Sequence, residues 1–381
     1  MGSIFKDISK LSFDYVPEKL VHRDRQLTRL HTLFDPILES NYSQSAFITG
    51  GVGTGKTAST KLFCKEMQDA AARKQVGFKY VLVNCRHRST DASVLLKVLQ
   101  GFDPGFPDRG FSITEMLDSL RKHLEKRNLH LFIVLDEADV LLKKGTDLVY
   151  NFSRFGEEYM SGRQAVSMVL ISQKHVLDYM DPSSLSTFKR GNIIQFDRYT
   201  AEELNDILTQ RRELACQPDT VPDEAVELMS DIASEWGDAR FAIELLEKAG
   251  MLAEEEARAE VTAEDVRAAK AVTHSEIDAS KLNELDQSRL LVLLASAQCL
   301  RKHAYTQTGM VEKQYLSLCE AYEIEARGHT QFWKYLKDLD ARGLIVSKAV
   351  SGAEGTTTKI SLPDIPVKEL EQKLTQMIEG K

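Results

Sequence analysis

No stretch of this chain approaches the run of about eighteen apolar residues that a membrane-spanning helix requires. The first twenty residues hold no apolar run between a basic start and a small-residue cleavage site, so no secretory signal is expected. Cysteine is sparse: Cys64, Cys85, Cys216, Cys299 and Cys319 are odd in number, scattered and never spaced as CxxC. That usage points to thiols as small core residues in a reducing cytoplasm, and away from a disulfide frame or a zinc site. Internal repeats and low-complexity tracts are absent. An excess of positive charge is absent too. The net charge of −8 excludes a protein that coats nucleic acid indiscriminately. It leaves room for a local basic surface, because Arg327 to Lys359 carries six basic residues against three acidic ones.

What is present is ordinary for a folded protein: 43% hydrophobic and 28% charged residues over 381 positions, enough for two or three domains with their own cores. The first half alternates short apolar runs with amphipathic stretches, the pattern of a parallel sheet covered by helices. The runs Ser45–Thr49, Phe78–Asn84, His130–Leu135, Ser167–Ile171 and Ile193–Phe196 are rich in β-branched and aromatic residues, as strands buried on both faces must be. Helices are predicted between them at Thr57–Arg73, Ala92–Gln100, Ile113–Lys126 and Asp147–Met160. Beyond Tyr199 strands give way to helical patterns at Ala201–Ala215, Asp223–Glu235, Asp238–Glu256 and Ala263–Thr273. Thr200 and Thr262 are expected N-caps, each with an acid three residues on. The polar segment His274 to Asn283 reads as a hinge. Three helices and a β-hairpin, Leu344–Val350 with Thr356–Leu362, complete the chain.

Gly50-Gly51-Val52-Gly53-Thr54-Gly55-Lys56-Thr57 matches G-x-x-x-x-G-K-[ST] in full, directly after a strand and opening a helix. Glycines let the backbone curl until its N–H groups face a phosphate, and the helix N-terminus adds positive potential. Lys56 would reach the β- and γ-phosphates, and the Thr57 hydroxyl would ligate Mg²⁺. The apolar run Leu131 to Leu135 ends in Asp136-Glu137, two carboxylates that need a cation or water at the end of a buried strand. Asp136 is expected in the Mg²⁺ shell, and Glu137 is expected to polarise the attacking water.

These residues resemble the AAA+ ATPases, and within them the archaeal origin-recognition replication initiators, relatives of the eukaryotic origin recognition complex and its helicase-loading partner. The resemblance runs from Tyr15-Val16-Pro17-Glu18 and His22-Arg23, through the loop and Leu135-Asp136-Glu137-Ala138-Asp139, to Tyr199–Leu204, Gly237-Asp238-Ala239-Arg240 and a terminal winged helix. It implies an α/β architecture: an AAA+ P-loop base (1–197), an all-α lid (198–278) and a winged-helix domain (279–381). It further implies ATP or ADP with Mg²⁺ held by Val16, Val21, Arg23, the loop from Val52 to Ala58, Tyr199 and Arg211. Gln173 stands where the family has a polar γ-phosphate sensor, and Arg240 where it has a second, cationic one. An exposed arginine at a helix start is the plain alternative for Arg240, although a cation opposes the helix dipole there. Where the family reads Asp-Pro-Arg, this chain has Asp181-Pro182-Ser183. The arginine finger is therefore missing unless Arg190 replaces it, and slow turnover is expected.

Near the C-terminus, Phe332, Tyr335, Leu336 and Leu339 fall on one helical face and are expected to pack inward. Thr330, Gln331 and Lys334 fall on the other, where a recognition helix reads base edges. Lys348 and Lys359 on the hairpin suit a wing touching phosphate. Phe102 to Phe111, with Arg109, falls where the family inserts a minor-groove element; a Pro/Gly loop capping the sheet is the alternative. The resemblance implies a cytoplasmic, nucleoid-associated protein whose partners are double-stranded origin DNA, other initiator protomers and the replicative helicase. A competing reading is a signalling-type ATPase scaffold whose winged helix makes only protein contacts.

Overall fold

The five apolar runs of the first half form one all-parallel sheet: β1 (Ser45–Gly50), β2 (Phe78–Asn84), β3 (His130–Asp136), β4 (Val166–Ser172) and β5 (Ile193–Phe196), in the order β2-β3-β4-β1-β5. The computed structural model describes residues 3–40, 42–145, 147–155, 165–173, 192–273, 282–352, 355–362 and 366–379. Every residue of β4 is buried, as are the first six of β3. Alternation along β3 divides two cores between the faces of the sheet. Leu131, Ile133 and Leu135 join Val94, Leu95 and Leu120 from helices Asp91–Gln100 and Ile113–Arg127. Phe132 and Val134 join Phe34 and Phe63 from helices Asp24–Phe34 and Lys56–Lys74. Parallel strands bring all their C-terminal ends to one edge, and β1, the strand that feeds the glycine loop, lies inside the sheet. The helix Asp24–Phe34 is an addition to the expected elements. The predicted helix Asp147–Met160 appears as Asp147–Ser153, its remainder lying mostly outside the described residues.

The chain divides into two compact units, Val16–Tyr199 and Met1–Tyr15 with Thr200–Lys381. The first fifteen residues, read from sequence as the start of the base, therefore group with the lid. The reason is backbone pairing: the Lys6 and Asp7 amides donate to the Ala215 carbonyl at 2.8 and 3.0 Å, and the Gln217 amide donates to the Ile4 carbonyl at 2.8 Å. The Phe5 ring lies against Gly250, where an added Cβ would come within 2.3 Å of the ring.

The lid consists of helices Ala201–Ala215, Asp223–Ser234, Ala239–Glu255 and Ala263–Thr273. Thr200 caps the first with a complete capping box: its side chain accepts from the Glu203 amide, and its own amide donates to the Glu203 carboxylate at 2.9 Å. Thr200→Ala should therefore lower thermal stability by about 0.5–2 kcal/mol, measured by calorimetry, with Thr200→Ser nearly neutral. The C-terminal domain has helices Gln287–Cys299, Thr308–Ala321, His329–Ala341 and Val367–Glu379 around a three-stranded antiparallel sheet. That sheet comprises β6 (Tyr305–Gln307), β7 (Val346–Gly352) and β8 (Gly355–Ser361), in the order β6-β8-β7. β6 and the last helix are not among the expected elements. Three residues are too few to show a strand's alternation.

Candidate nucleotide site and nucleic-acid interface

The glycine loop leaves β1 at Gly50 and enters helix Lys56–Lys74 through Gly53 and Gly55, whose φ angles of 66° and 85° lie in the left-handed region glycine occupies without strain. A side chain at Gly50 would meet the Phe196 carbonyl of β5 at 2.3 Å. The Lys56 ammonium folds back over the loop and donates to the Gly50 carbonyl at 2.8 Å and to that of Gly51, which holds its charge at the loop's centre. Val52 is half exposed at the loop's crest. Thr57 and Asp136, seventy-nine positions apart, come into direct contact: the Thr57 hydroxyl donates to the Asp136 carboxylate at 2.8 Å. That spacing is close to the roughly 2.9 Å between adjacent ligands of an octahedral Mg²⁺ with bonds of about 2.0–2.1 Å. Among the described residues no group of three or more His, Cys, Asp or Glu could hold a metal ion by itself. The hydroxyl and carboxylate thus suit a cation that arrives with phosphate oxygens.

Glu137 has φ of 52°, an uncommon conformation for a residue with a Cβ and one that recurs at functional sites. Its carboxylate lies 2.8 Å from the Arg86 guanidinium and 3.5 Å from the Asn84 amide. Neither partner was identified from the sequence. The structure brings them together by strand register: Asn84 is the partner of Asp136, and both end their strands at the same edge. Ser172 pairs with Thr49 of β1, so Gln173, the next residue, leaves β4 beside the root of the glycine loop. The Cys85 thiol, close to these carboxylates, is pushed up to about 12 by burial and then by Asp136, Glu137 and Asp139, and stays protonated as a core residue.

Arg23 and Tyr199, expected to contact nucleotide, are placed beneath the loop. Arg23 is 3% exposed and donates to the carbonyls of Thr54 (2.9 Å), His22 (2.8 Å) and Asp197 (3.0 Å). Its guanidinium lies 3.6 Å from the Tyr199 ring centroid. A buried cation must satisfy its donors, and here three backbone carbonyls do so, one of them in the loop itself. Val16 and Val21 are part-buried on the same lead-in. Arg211 is likewise committed within its own unit, donating to the Lys10 and Tyr15 carbonyls at 2.7 and 3.2 Å. Arg240 is exposed in the first turn of helix Ala239–Glu255, whose cap Asp238 accepts from the Arg240 amide at 2.8 Å. Ser183 and Arg190 lie outside the described residues.

In the C-terminal domain Phe332, Tyr335, Leu336 and Leu339 are buried, whereas Thr330 and Lys334 are exposed and Gln331 is half-buried. The wing lysines meet carboxylates of the lid. Tyr305, Ser361, Val346, Lys348 and Lys359 share one face of the small sheet by register, and that face meets the lid. Lys348 pairs with Asp231 and Lys359 with Glu227. Of the aromatic residues in the Phe102–Phe111 loop, Phe102 and Phe106 are core; Phe111 and Arg109 remain exposed.

Three family models account for most of the chain: an AAA domain over residues 40–180, a Cdc6 AAA+ ATPase-type lid domain over 205–271, and the CDC6 C-terminal winged helix domain over 280–372. An ORC1-type DNA replication protein of Saccharolobus solfataricus is 32% identical over 98% of this chain and 94% of its own length. The crystal structure of Cdc6p from Pyrobaculum aerophilum superposes with a TM-score of 0.87 at 28% identity, covering 99% of both chains. The Aeropyrum pernix ORC1 protein, in complex with DNA, superposes with a TM-score of 0.66 at 30% identity, covering 99% of this chain and 98% of that one. With its parallel AAA sheet, lid and winged helix, the chain belongs to the family of ORC1/Cdc6-type DNA replication proteins.

Proposed function

We propose that this protein is an ATP-regulated initiator of DNA replication that binds duplex origin DNA and helps to recruit the replicative helicase. The observation that carries this reading is the outward polar face of helix His329–Ala341, with Thr330 and Lys334 exposed, in the same chain as a complete phosphate-binding loop. Mg²⁺-ATP would sit on that loop, held by Lys56, Thr57 and Asp136, with Glu137 polarising water and Gln173 and Arg240 sensing the γ-phosphate. Glu137 already faces the Arg86 cation, and Ser183 offers no guanidinium. Turnover is therefore slow, and the nucleotide acts as a switch.

The test is a salt series of binding curves on origin and random duplex. Gln331→Ala should relax discrimination between the two by about 1–3 kcal/mol, the worth of a bidentate base contact. Lys334→Gln should weaken both duplexes and reduce the slope of log affinity against log salt by about one unit. A second reading, a scaffold whose winged helix serves its own ATPase module, is favoured by one observation: both wing lysines are engaged by the lid. A chain that binds no duplex at any salt concentration would establish the scaffold and overturn the initiator.

A further inference from the structure

Lys348 and Lys359 are direct cross-strand partners in the antiparallel pair β7–β8. Two ammonium groups so placed repel each other, and the described residues of either strand include no acid. The compensating charge comes from the lid. Glu224, Glu227 and Asp231 form a stripe along helix Asp223–Ser234, at spacings of three and four that share one helical face, while Val226, Met229 and Ala233 are buried. Lys348 bonds to one oxygen of Asp231, and the Tyr305 hydroxyl donates to the other at 2.9 Å. The Lys359 ammonium stands 3.4 Å from Glu227 and 4.8 Å from the Tyr305 ring centroid. Glu224 accepts from the Ala304 amide at 2.7 Å.

Both lysine side chains keep contact with water, at 47% and 38% exposure. An ion pair so wetted shifts an equilibrium by about fivefold at most. The joint between lid and winged helix is of another kind. Arg267, fully buried on the lid, donates to the carbonyls of Leu362, Leu300 and His303 at 2.9, 3.1 and 2.8 Å. The lysines can therefore exchange partners on their flexible stems while the two domains stay joined.

We propose that Lys348 and Lys359 are a phosphate-binding pair held in reserve, with the carboxylates of Asp231 and Glu227 occupying the two ammonium groups until the phosphates of a duplex displace them. This rests on the DNA reading above and adds its regulation. A duplex in passing contact must compete with two carboxylates fixed beside the lysines. A duplex already seated on helix His329–Ala341 presents its phosphates at high effective concentration and wins that competition. The lid acids thereby suppress random binding more than binding at an origin.

The experiment uses the full chain and random duplex of fixed length. Asp231→Asn with Glu227→Gln should tighten binding by about three- to twentyfold at low salt and steepen the log–log salt slope by up to about two units. The gain should vanish when Lys348 and Lys359 are both glutamine. Glu202→Gln with Glu255→Gln, which changes net charge equally on exposed lid positions, should give a smaller gain that survives loss of the lysines. Asp231→Asn keeps an acceptor for Tyr305. Should the double variant fail to fold, Glu227→Gln alone, at an exposed position, should show about half the logarithmic gain. A gain no larger than that of the Glu202 and Glu255 control, or one that persists without the lysines, overturns the reserve. Binding weakened by Lys334→Gln but unmoved by the lid variants overturns the reserve while leaving the DNA reading intact. Absence of binding by every variant overturns the DNA reading itself.

Discussion

Lys56→Ala is expected to lower affinity for Mg²⁺-ATP by at least about a hundredfold, because hydrogen bonds to charged groups contribute about 1.5–3 kcal/mol each and Lys56 would make two such contacts, to the β- and γ-phosphates. The ammonium stands over the loop on the Gly50 and Gly51 carbonyls, where a bound phosphate would take over as its partner. The same carbonyls lie on a partly exposed loop that water reaches, so thermal stability without nucleotide should change little. Asp136→Ala should instead flatten the Mg²⁺ dependence of binding, because it removes the carboxylate that the Thr57 hydroxyl contacts. Equilibrium titration with a fluorescent nucleotide, with and without Mg²⁺, separates the two effects. Unchanged affinity in Lys56→Ala would sink the assignment of the loop.

The second large effect is structural. Arg267→Met should destabilise the unit of lid and winged helix by about 3–5 kcal/mol, since each buried carbonyl left without a donor costs about 1–3 kcal/mol. Arg267 is 0% exposed, and among the described residues the acid it meets, Glu264, stands at 3.5 Å. Desolvation accordingly pulls its pKa down from the usual arginine value, with Glu264 opposing. Its charge is balanced chiefly by carbonyls, among them that of Leu300, the C-cap of helix Gln287–Cys299, where the helix dipole is negative. Methionine matches the apolar stem but supplies no donor. Calorimetry should show the transition of this unit lowered by roughly 6–20 °C, at about 2–4 °C per kcal/mol for a body of its size. A shift of less than about 2 °C would show that the carbonyls find water instead.

Much of the candidate site was legible because its determinants are local. The strand, glycine loop and helix of residues 45–74 are contiguous, and the loop's glycines are dictated by φ angles and close approach. The inward face of helix His329–Ala341 was legible for the same reason, as four apolar residues at helical spacing can bury together in one way only. Asn84 and Arg86 were missed because their importance lies in meeting Glu137 across the sheet. Arg23 was assigned to nucleotide by resemblance. Its position under the loop follows from the Thr54 and Asp197 carbonyls, which no spacing rule connects to it. The loop Phe102 to Phe111 offered a choice between groove insertion and capping; packing turned Phe102 and Phe106 into the core.

The sequence by itself determined the parallel sheet, the phosphate-binding loop, the capped lid helices and the apolar face of helix His329–Ala341. Each is encoded by residues within one or two turns or strands, where periodicity and backbone sterics act. The tertiary structure alone decided which polar groups meet. It joined Thr57 to Asp136, gathered the first fifteen residues onto the lid, and set Lys348 and Lys359 against acids more than a hundred positions away. A surface lysine carries the same charge wherever it lies, and local pattern says only that it avoids the core. Its partner is chosen by the packing of distant apolar faces, which brings one helix stripe to one face of a small sheet.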